Sequence, residues 1–255
     1  MFVFYVFKMY YFAMQDNIEY PIRINRYLFI KGYCSRREAD RLIEKGQIKI
    51  NGKVAVLGQK VEENDKVEIS DKVKKIADER VYLAFNKPIG IVTHNPIKGQ
   101  RSIEEIVKYK TKVFPMGRLD KDSHGLIILT NDGRITNALL NPENEHEKEY
   151  VVEVNHRIDL NFIRAMEQGV KIDDYKTKPA KIKKIDARVF HITLIEGKKH
   201  QIRRMCSALK QEVLDLQRIR VMNIKLGKLK VGEYREIEGE ELSKFLKELN
   251  IKDYN

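Results

Sequence analysis

The stretch Phe114-Pro115-Met116-Gly117-Arg118-Leu119-Asp120-Lys121-Asp122-Ser123-His124-Gly125 runs directly into Leu126-Ile127-Ile128-Leu129-Thr130, and this junction constrains the fold more than any other part of the chain. The apolar run is too short for a core helix and contains β-branched residues, so it predicts a buried strand. The residues ahead of it are turn formers, and Asp120 stands among them between Arg118 and Lys121. A chain presents an acid at a strand mouth in this way. On these residues alone two readings of Asp120 stay open: a reactive carboxylate, or a surface aspartate that caps local backbone amides, as in most turns of the D-x-D-S kind.

Charge narrows the partners. Among 255 residues, 49 Lys and Arg stand against 37 Asp and Glu, a formal net charge of +12. Such an excess favours a polyanion, because each phosphate neutralised by Lys or Arg releases condensed counterions. Charge alone also fits a basic protein with no such partner. The two cysteines, Cys34 and Cys206, lie far apart without paired-ligand spacing, so neither a disulfide framework nor a zinc site is expected. A reduced, cytoplasmic setting is the expectation. Residues 1–14, MFVFYVFKMYYFAM, are apolar and aromatic but broken by Lys8, and they fall short of the roughly 20 residues that span a bilayer. They carry no basic leader region or small-residue cleavage site. Residues 1–20 are therefore set apart as an extension, with translation from Met14 as the alternative.

From Pro21 the chain becomes patterned. Ile22 to Ile30 has near-helical apolar spacing that Gly32 stops, and Ser35 caps a second helix over Arg36 to Lys45, with Glu38 completing a capping box and Gly46 ending it. Gln47 to Ile50 and Lys53 to Val56 alternate around Asn51-Gly52, a strong hairpin signal, and Lys66 to Ile69 supplies a third strand. Cations dominate this small unit: Arg23, Arg26, Arg36 and Arg37 among them, the last two at a helix N-terminus that also favours phosphate. They support RNA binding, against the plainer reading of solvated helix faces. The words Arg23-x-Asn25-Arg26-Tyr27, Cys34-Ser35-Arg36-Arg37-Glu38-Ala39-Asp40 and Gly46-x-Ile48-x-Ile50-Asn51-Gly52 resemble the alpha-L motif, the small RNA-binding domain of the S-four type. The resemblance covers about residues 21–70 and implies recognition of structured RNA by shape and phosphate position.

Residues 71–80 are polar and read as a linker, and 81–250 as a second domain. There a strand from Val81 to Phe85 meets Asn86-Lys87-Pro88-Ile89-Gly90, which suggests a bend into a second strand, with Lys87 free to meet a phosphate or solvent. A short amphipathic segment spans Ser102 to Tyr109. Further helices are expected near Gly133 to Leu140, Asp159 to Gly169 and Glu240 to Leu246, and strands at Lys148 to Val154, Lys181 to Ile185, Val189 to Ile195 and Tyr234 to Ile237. The texture predicts an α+β fold with many short strands. A second reactive constellation, Glu196-Gly197-Lys198-Lys199-His200-Gln201-Ile202-Arg203-Arg204-Met205-Cys206, follows a strand and opens a helix-like run whose cations suit an anion. Other chemistries fit poorly. Ser123-His124 lacks the glycine of a nucleophile elbow, the six histidines show no metal-ligand spacing, and no glycine-rich phosphate loop occurs.

Three blocks, Asn86-Lys87-Pro88-Ile89-Gly90, Gly117-Arg118-Leu119-Asp120-Lys121-Asp122-Ser123-His124-Gly125-Leu126 and Gly197-Lys198-Lys199-His200-Gln201-Ile202-Arg203-Arg204-Met205, resemble the motifs of RsuA-type RNA pseudouridine synthases. Lys148-Glu149-Tyr150 adds the tyrosine that this family sets against its target base, and with the N-terminal unit the resemblance covers about residues 21–248. His146 to Tyr150, Gln201 to Cys206 and Arg218 to Ile224 are most similar to the RluF-like branch. The resemblance implies a two-domain α+β fold with a mainly antiparallel catalytic sheet. It implies isomerisation of a uridine in structured large-subunit rRNA and, for some members of the branch, one in the anticodon of a tyrosine tRNA. An RluB-like or RsuA-like enzyme for another rRNA uridine is the alternative, as is a non-catalytic RNA-binding or ribosome-assembly factor. It implies no cofactor, no metal, no membrane and a monomer.

By matching position, Asp120 would be the nucleophile, attacking the ribose anomeric carbon or carbon 6 of uracil, which requires an ionised carboxylate. Arg203 would pair with Asp120 and hold it. Tyr150 would stack on the base and move the proton from carbon 5. Arg118 would occupy the gap left by a flipped uridine or grip its phosphate, and Ile202 would form an apolar floor beneath the base.

Overall fold

The computed structural model describes residues 18–31, 33–71, 80–173 and 175–251. Most of the expected extension, most of the expected linker and the helix stop at Gly32 lie outside the described residues. Two compact units result, one from the N-terminal part of the chain and one built from Val81–Asn131 and Ile135–Ile251. Among the described residues no helix is long and apolar enough to cross a membrane.

The N-terminal unit comprises β1 (Ile22–Arg23), α1 (Ile24–Ile30), α2 (Arg36–Glu44), β2 (Ile48–Ile50), β3 (Lys53–Val54), β4 (Lys60–Val61) and β5 (Val67–Ile69) around a core that includes Ile24, Leu28, Ala39, Ile48 and Val61. Ser35 Oγ accepts from the Glu38 amide at 3.3 Å and starts α2. The Glu38 carboxylate turns to Arg41 at 3.3 Å rather than back to the Ser35 amide, so half of the expected capping box forms. Asn51 (φ +51°) and Gly52 (φ +77°) make the left-handed pair that the β2–β3 turn requires. Residues 22 and 23 depart from the helical expectation. They are extended and pair with β4, Ile22 opposite Val61, because Ile22 and Ile24 both reach the core and a long-range pairing overrides local periodicity.

The larger unit runs β6 (Tyr82–Lys87), α3 (Ile103–Ile106), β7 (Phe114–Met116), β8 (His124–Thr130), α4 (Ile135–Leu140), β9 (Lys148–Val154), α5 (Leu160–Gln168), β10 (Lys171–Ile172), β11 (Tyr175–Lys176), β12 (Lys181–Lys184), β13 (Val189–Leu194), α6 (Gln201–Ala208), β14 (Val213–Val221), β15 (Ile224–Lys225), β16 (Tyr234–Glu236) and α7 (Gly239–Glu248). Its main sheet has the order β12-β13-β9-β14-β8-β6-β16, with β7 added on β8 and β15 on β14. Neighbours are antiparallel except β14 with β8, which are parallel. The fold is the expected α+β type with a mainly antiparallel sheet.

The apolar run that follows Asp120 is β8, and it is central because both its faces are covered. Leu126 and Ile128 pack with Tyr82 and Ala84 against residues of α4 and α7, while Ile127 and Leu129 pack with Leu83 and Phe85 on the other side. Each such side chain contributes about 1.5–3 kcal/mol by leaving water. The expected second strand after Pro88-Ile89-Gly90 does not form. Both edges of β6 are already taken by β8 and β16, so the chain leaves the sheet and only Val92 bridges to Ser102. The sequence reading places no strand over Val213–Val221, yet β14 is the strand that joins the two halves of the sheet.

A register shift in β14 lies between Arg218, opposite Tyr150, and Arg220, opposite Glu149. Two residues apart on a regular strand, these arginines would share a face; the bulge sends them to opposite faces. On its face Arg220 donates Nε to Glu149 Oε2 at 2.8 Å and Nη2 to Glu147 Oε2 at 2.9 Å. Lys181 Nζ donates to Glu147 Oε1 at 2.6 Å, and His191 Nδ1 lies 3.0 Å from Glu149 Oε1. Lys181 first, then Arg220, holds the Glu147 carboxyl below the usual carboxylate range.

The parallel contact of β14 with β8 depends on Gly125. A Cβ there would lie 2.3 Å from the Arg218 carbonyl oxygen and 2.8 Å from its nitrogen, and the backbone φ is +102°. Gly125→Ala is therefore expected to destabilise the larger unit by at least about 2 kcal/mol, read as a lower denaturation midpoint in urea; an unchanged midpoint would show that the strands can part without cost.

Candidate active site

Strand register sets five residues in one line across the middle of the sheet: Ile192 on β13, Tyr150 on β9, Arg218 on β14, Gly125 on β8 and Lys87 on β6. The loop from β7 into β8 carries Asp120, five residues ahead of Gly125 in this line. A cleft of about 340 Å³ is lined there by Arg118, Asp120, Tyr150, His200, Ile202 and Arg218, among others. Residues from four separate segments thus converge on one space.

The Asp120 loop is held by its main chain. The Ser123 amide donates to Asp120 O at 3.1 Å and closes a turn. Buried Thr93 donates Oγ1 to Leu119 O at 2.7 Å and accepts from the Leu119 amide at 3.1 Å. The Gly90 amide donates to Lys121 O at 2.8 Å. Both neighbours of Asp120 are therefore tied to the segment 90–93, which leaves the carboxylate as the free part of the loop. Lys87 closes that segment from beneath. It is fully buried, and its ammonium donates to Pro88 O at 2.9 Å and Ile91 O at 2.8 Å. Burial pulls this ammonium down to about 8, with the Arg218 guanidinium adding to the depression and the Asp120 and Asp122 carboxylates opposing it. The expectation that Lys87 meets a phosphate is thus corrected: the strand ladder buries it, and its protons go to carbonyls.

Asp120 faces an imidazole. His200 Nδ1 lies 3.4 Å from Asp120 Oδ2, both side chains being partly exposed. The expected Arg203–Asp120 pair is not made in this structure. Arg203 donates Nη1 to Val213 O at 3.1 Å and Nη2 to Asp122 O at 2.9 Å, and comes within 3.5 Å of Ser123 Oγ. Its guanidinium braces the turn that follows Asp120, and the carboxylate is left to the residue at the start of α6. His200 reaches it because its own backbone is left-handed, φ +51°, at the cap of that helix.

Tyr150 and Ile202 both line the cleft, Tyr150 half-buried on β9 and Ile202 4% exposed on α6 and continuous with the core. Arg118 is exposed at the cleft's edge. Lys148 also lines the cleft, and burial, with the Arg218 guanidinium second, draws its ammonium down to about 8. Arg218 is 4% exposed, donating Nε to Leu126 O at 2.6 Å and Nη1 to Arg118 O at 3.4 Å. Arg23, Arg26, Arg36 and Arg37 are exposed in the N-terminal unit, the last two in the first turn of α2.

Sequence reasoning passed over Arg218, Lys148 and His200 as site residues. The signal for Arg218 was present, an arginine at the apolar phase of Leu214-x-Leu216-x-Arg218, but it requires β14 to be recognised as a strand. His200 had no such signal, since its role rests on a backbone angle.

Residues 81–208 match the model of the RNA pseudouridylate synthase family, and residues 22–67 match that of the S4 domain. The chain is 44% identical over 223 residues to the dual-specificity RNA pseudouridine synthase RluF of Escherichia coli strain K12, covering 87% of this chain and 77% of that one. It is 34% identical over 231 residues to the ribosomal large subunit pseudouridine synthase B of Bacillus subtilis strain 168, covering 87% and 94%. A solved structure described as a pseudouridylate synthase matches with a TM-score of 0.64 at 27% identity, over 89% of this chain and 99% of that one. By these matches, over half of its length to the family model and at 44% identity to a relative covered to 77%, the chain belongs to the RNA pseudouridine synthase family.

Proposed function

We propose that this isomerase converts a specific uridine in structured large-subunit rRNA to pseudouridine, with Asp120 as the nucleophile. The observation that carries the reading is the convergence of Asp120, Tyr150, Ile202 and Arg118 on one cleft. A uridine flipped from its stack brings its ribose to Asp120, lays its base between Tyr150 and Ile202, and leaves Arg118 at the edge to take up the phosphate or the vacated space. The carboxylate attacks the anomeric carbon or carbon 6, the glycosidic bond breaks, and the uracil turns and rejoins through carbon 5. Main-chain ties on Leu119 and Lys121 fix the nucleophile before substrate arrives, which is how a folded loop supplies orientation in advance. Arg203 supports the same loop from α6.

The 44% identity to a dual-specificity enzyme supports a tyrosine-tRNA anticodon as a second substrate. The S4-type unit, with Arg23, Arg26, Arg36 and Arg37 exposed, supports RNA capture through phosphates. We take the working form to be a cytoplasmic monomer.

Asp120→Asn keeps the shape of the side chain and removes the nucleophile. It is expected to lower tritium release from 5-tritiated rRNA transcripts by at least about 10⁴-fold while RNA still binds; intact turnover in this variant, or no release by the parent protein from any rRNA or tRNA transcript, would sink the enzymatic reading. Reversing charge in Arg36→Glu/Arg37→Glu should weaken RNA binding and reduce the slope of log affinity against log salt by about 2. Thermal unfolding of the larger unit should not shift, and unchanged affinity would remove that patch from the RNA contact.

A further inference from the structure

We infer that His200 is a further catalytic residue, the acceptor of the proton that leaves uracil carbon 5. The inference rests on the reading of Asp120 as nucleophile. Its observation is that the His200 ring stands 3.4 Å from the Asp120 carboxylate, within the cleft that the base must enter. Once the uracil has turned and carbon 5 has bonded to the ribose, carbon 5 still carries its original hydrogen. That proton must leave, its bonding pair restoring the ring double bond, and nitrogen 1, released when the glycosidic bond broke, must gain one. The net change is a proton moved from carbon 5 to nitrogen 1.

The other groups facing this space are poorly suited to receive it. From the loop before β8, Asp120 is committed to carbon and Arg118 has no lone pair to offer. From β9 come Lys148, whose ammonium is drawn down to about 8, and Tyr150, whose hydroxyl is a weak acceptor although the family resemblance offers it for this step. From β14 comes Arg218, a guanidinium spent on carbonyls. From the turn after β13 come Lys198, Lys199 and Glu196, and the Glu196 carboxylate is occupied by the Tyr175 hydroxyl, by the Lys178 amide at 3.0 Å and by Gln201 Nε2 at 2.6 Å. Imidazole is the side chain whose ordinary titration brackets neutral pH, so it can both take and release a proton. The His200 side chain is 44% exposed, so a proton taken from carbon 5 has a path to water, in keeping with release of the isotope to solvent. The left-handed backbone of His200 directs the ring there, and the hairpin of β10 and β11 is fastened to the same turn through Tyr175 and Glu196.

His200→Asn suits the test, because asparagine tolerates a left-handed backbone and carries no base. With 5-deuterated and 5-protiated rRNA transcripts in single turnover, the variant should be slowed about 100-fold, with KM within about threefold, and should show a primary isotope effect larger than that of the parent protein. In His200→Gly, added imidazole should restore turnover. Turnover within threefold of the parent, or a loss without isotope effect and without rescue by imidazole, would overturn the assignment and leave His200 as a positioning residue for Asp120. Asp120→Asn run alongside separates the two claims: a dead Asp120 variant with an unaffected His200 variant overturns only this inference, while a parent protein inactive on every transcript overturns both.

Discussion

Everything at the cleft depends on how closely β14 can lie against β8. A side chain at residue 125 would occupy the space of the Arg218 backbone, so the strands meet only because none is there. This single parallel contact brings β9 and β13 to the same sheet as β6 and β8, and with them Tyr150 to the neighbourhood of Asp120. Gly125 is also five positions past Asp120, so the residue that closes the sheet also determines where the loop must end. Sheet assembly and site assembly are one event in this fold.

The site keeps Asp120 in place by backbone rather than by charge pairing. Thr93 and Gly90 grip the residues on either side of Asp120, Lys87 secures the segment that grips them, and Arg203 braces the following turn. Arg118, Lys198 and Lys199 line the same cleft, and none of them makes an ion pair with the carboxylate. A fully paired acid would be stable and inert; one whose loop is fixed while its oxygens stay accessible can approach carbon without first breaking strong hydrogen bonds.

Much of this was legible in the sequence, for identifiable reasons. The β2–β3 hairpin, α2, β9 and the helix capped by Asp159 follow from short-range chemistry: an Asn-Gly turn, a serine cap, a period of two, an aspartate that accepts from the Phe162 amide at 2.8 Å. The strand after Asp120 was legible because an apolar run of that length has few other fates. What escaped needs distant pairing. Ile22 reads as helical until β4 is present, Lys87 reads as a surface cation until β16 and β8 close around β6, and Arg203 reads as the partner of Asp120 until the carbonyls of Val213 and Asp122 are brought within reach. The bulge in β14 is a further case, since Arg218 and Arg220 look equivalent by period and are sent to opposite faces. Family resemblance named residues that the structure brings to one cleft, Asp120, Tyr150 and Ile202 among them, and it did not give the hydrogen-bond partners of Arg203.

The ladder of Arg220, Glu147, Glu149, Lys181 and His191 has a consequence for how RNA is met in solution. Arg220 and Lys181 are matched to Glu147 and Glu149 within the sheet, so this ladder carries little net charge. The cleft face, with Arg118, Lys148, Lys198, Lys199 and Arg218, has a surplus of cations over the Asp120 and Glu196 carboxylates. A phosphate chain near the larger unit is therefore drawn more strongly to the cleft face than to the paired ladder. By turning Arg220 to the glutamates of one face and Arg218 to the other, the bulge separates a paired ladder from a cleft where cations are in surplus.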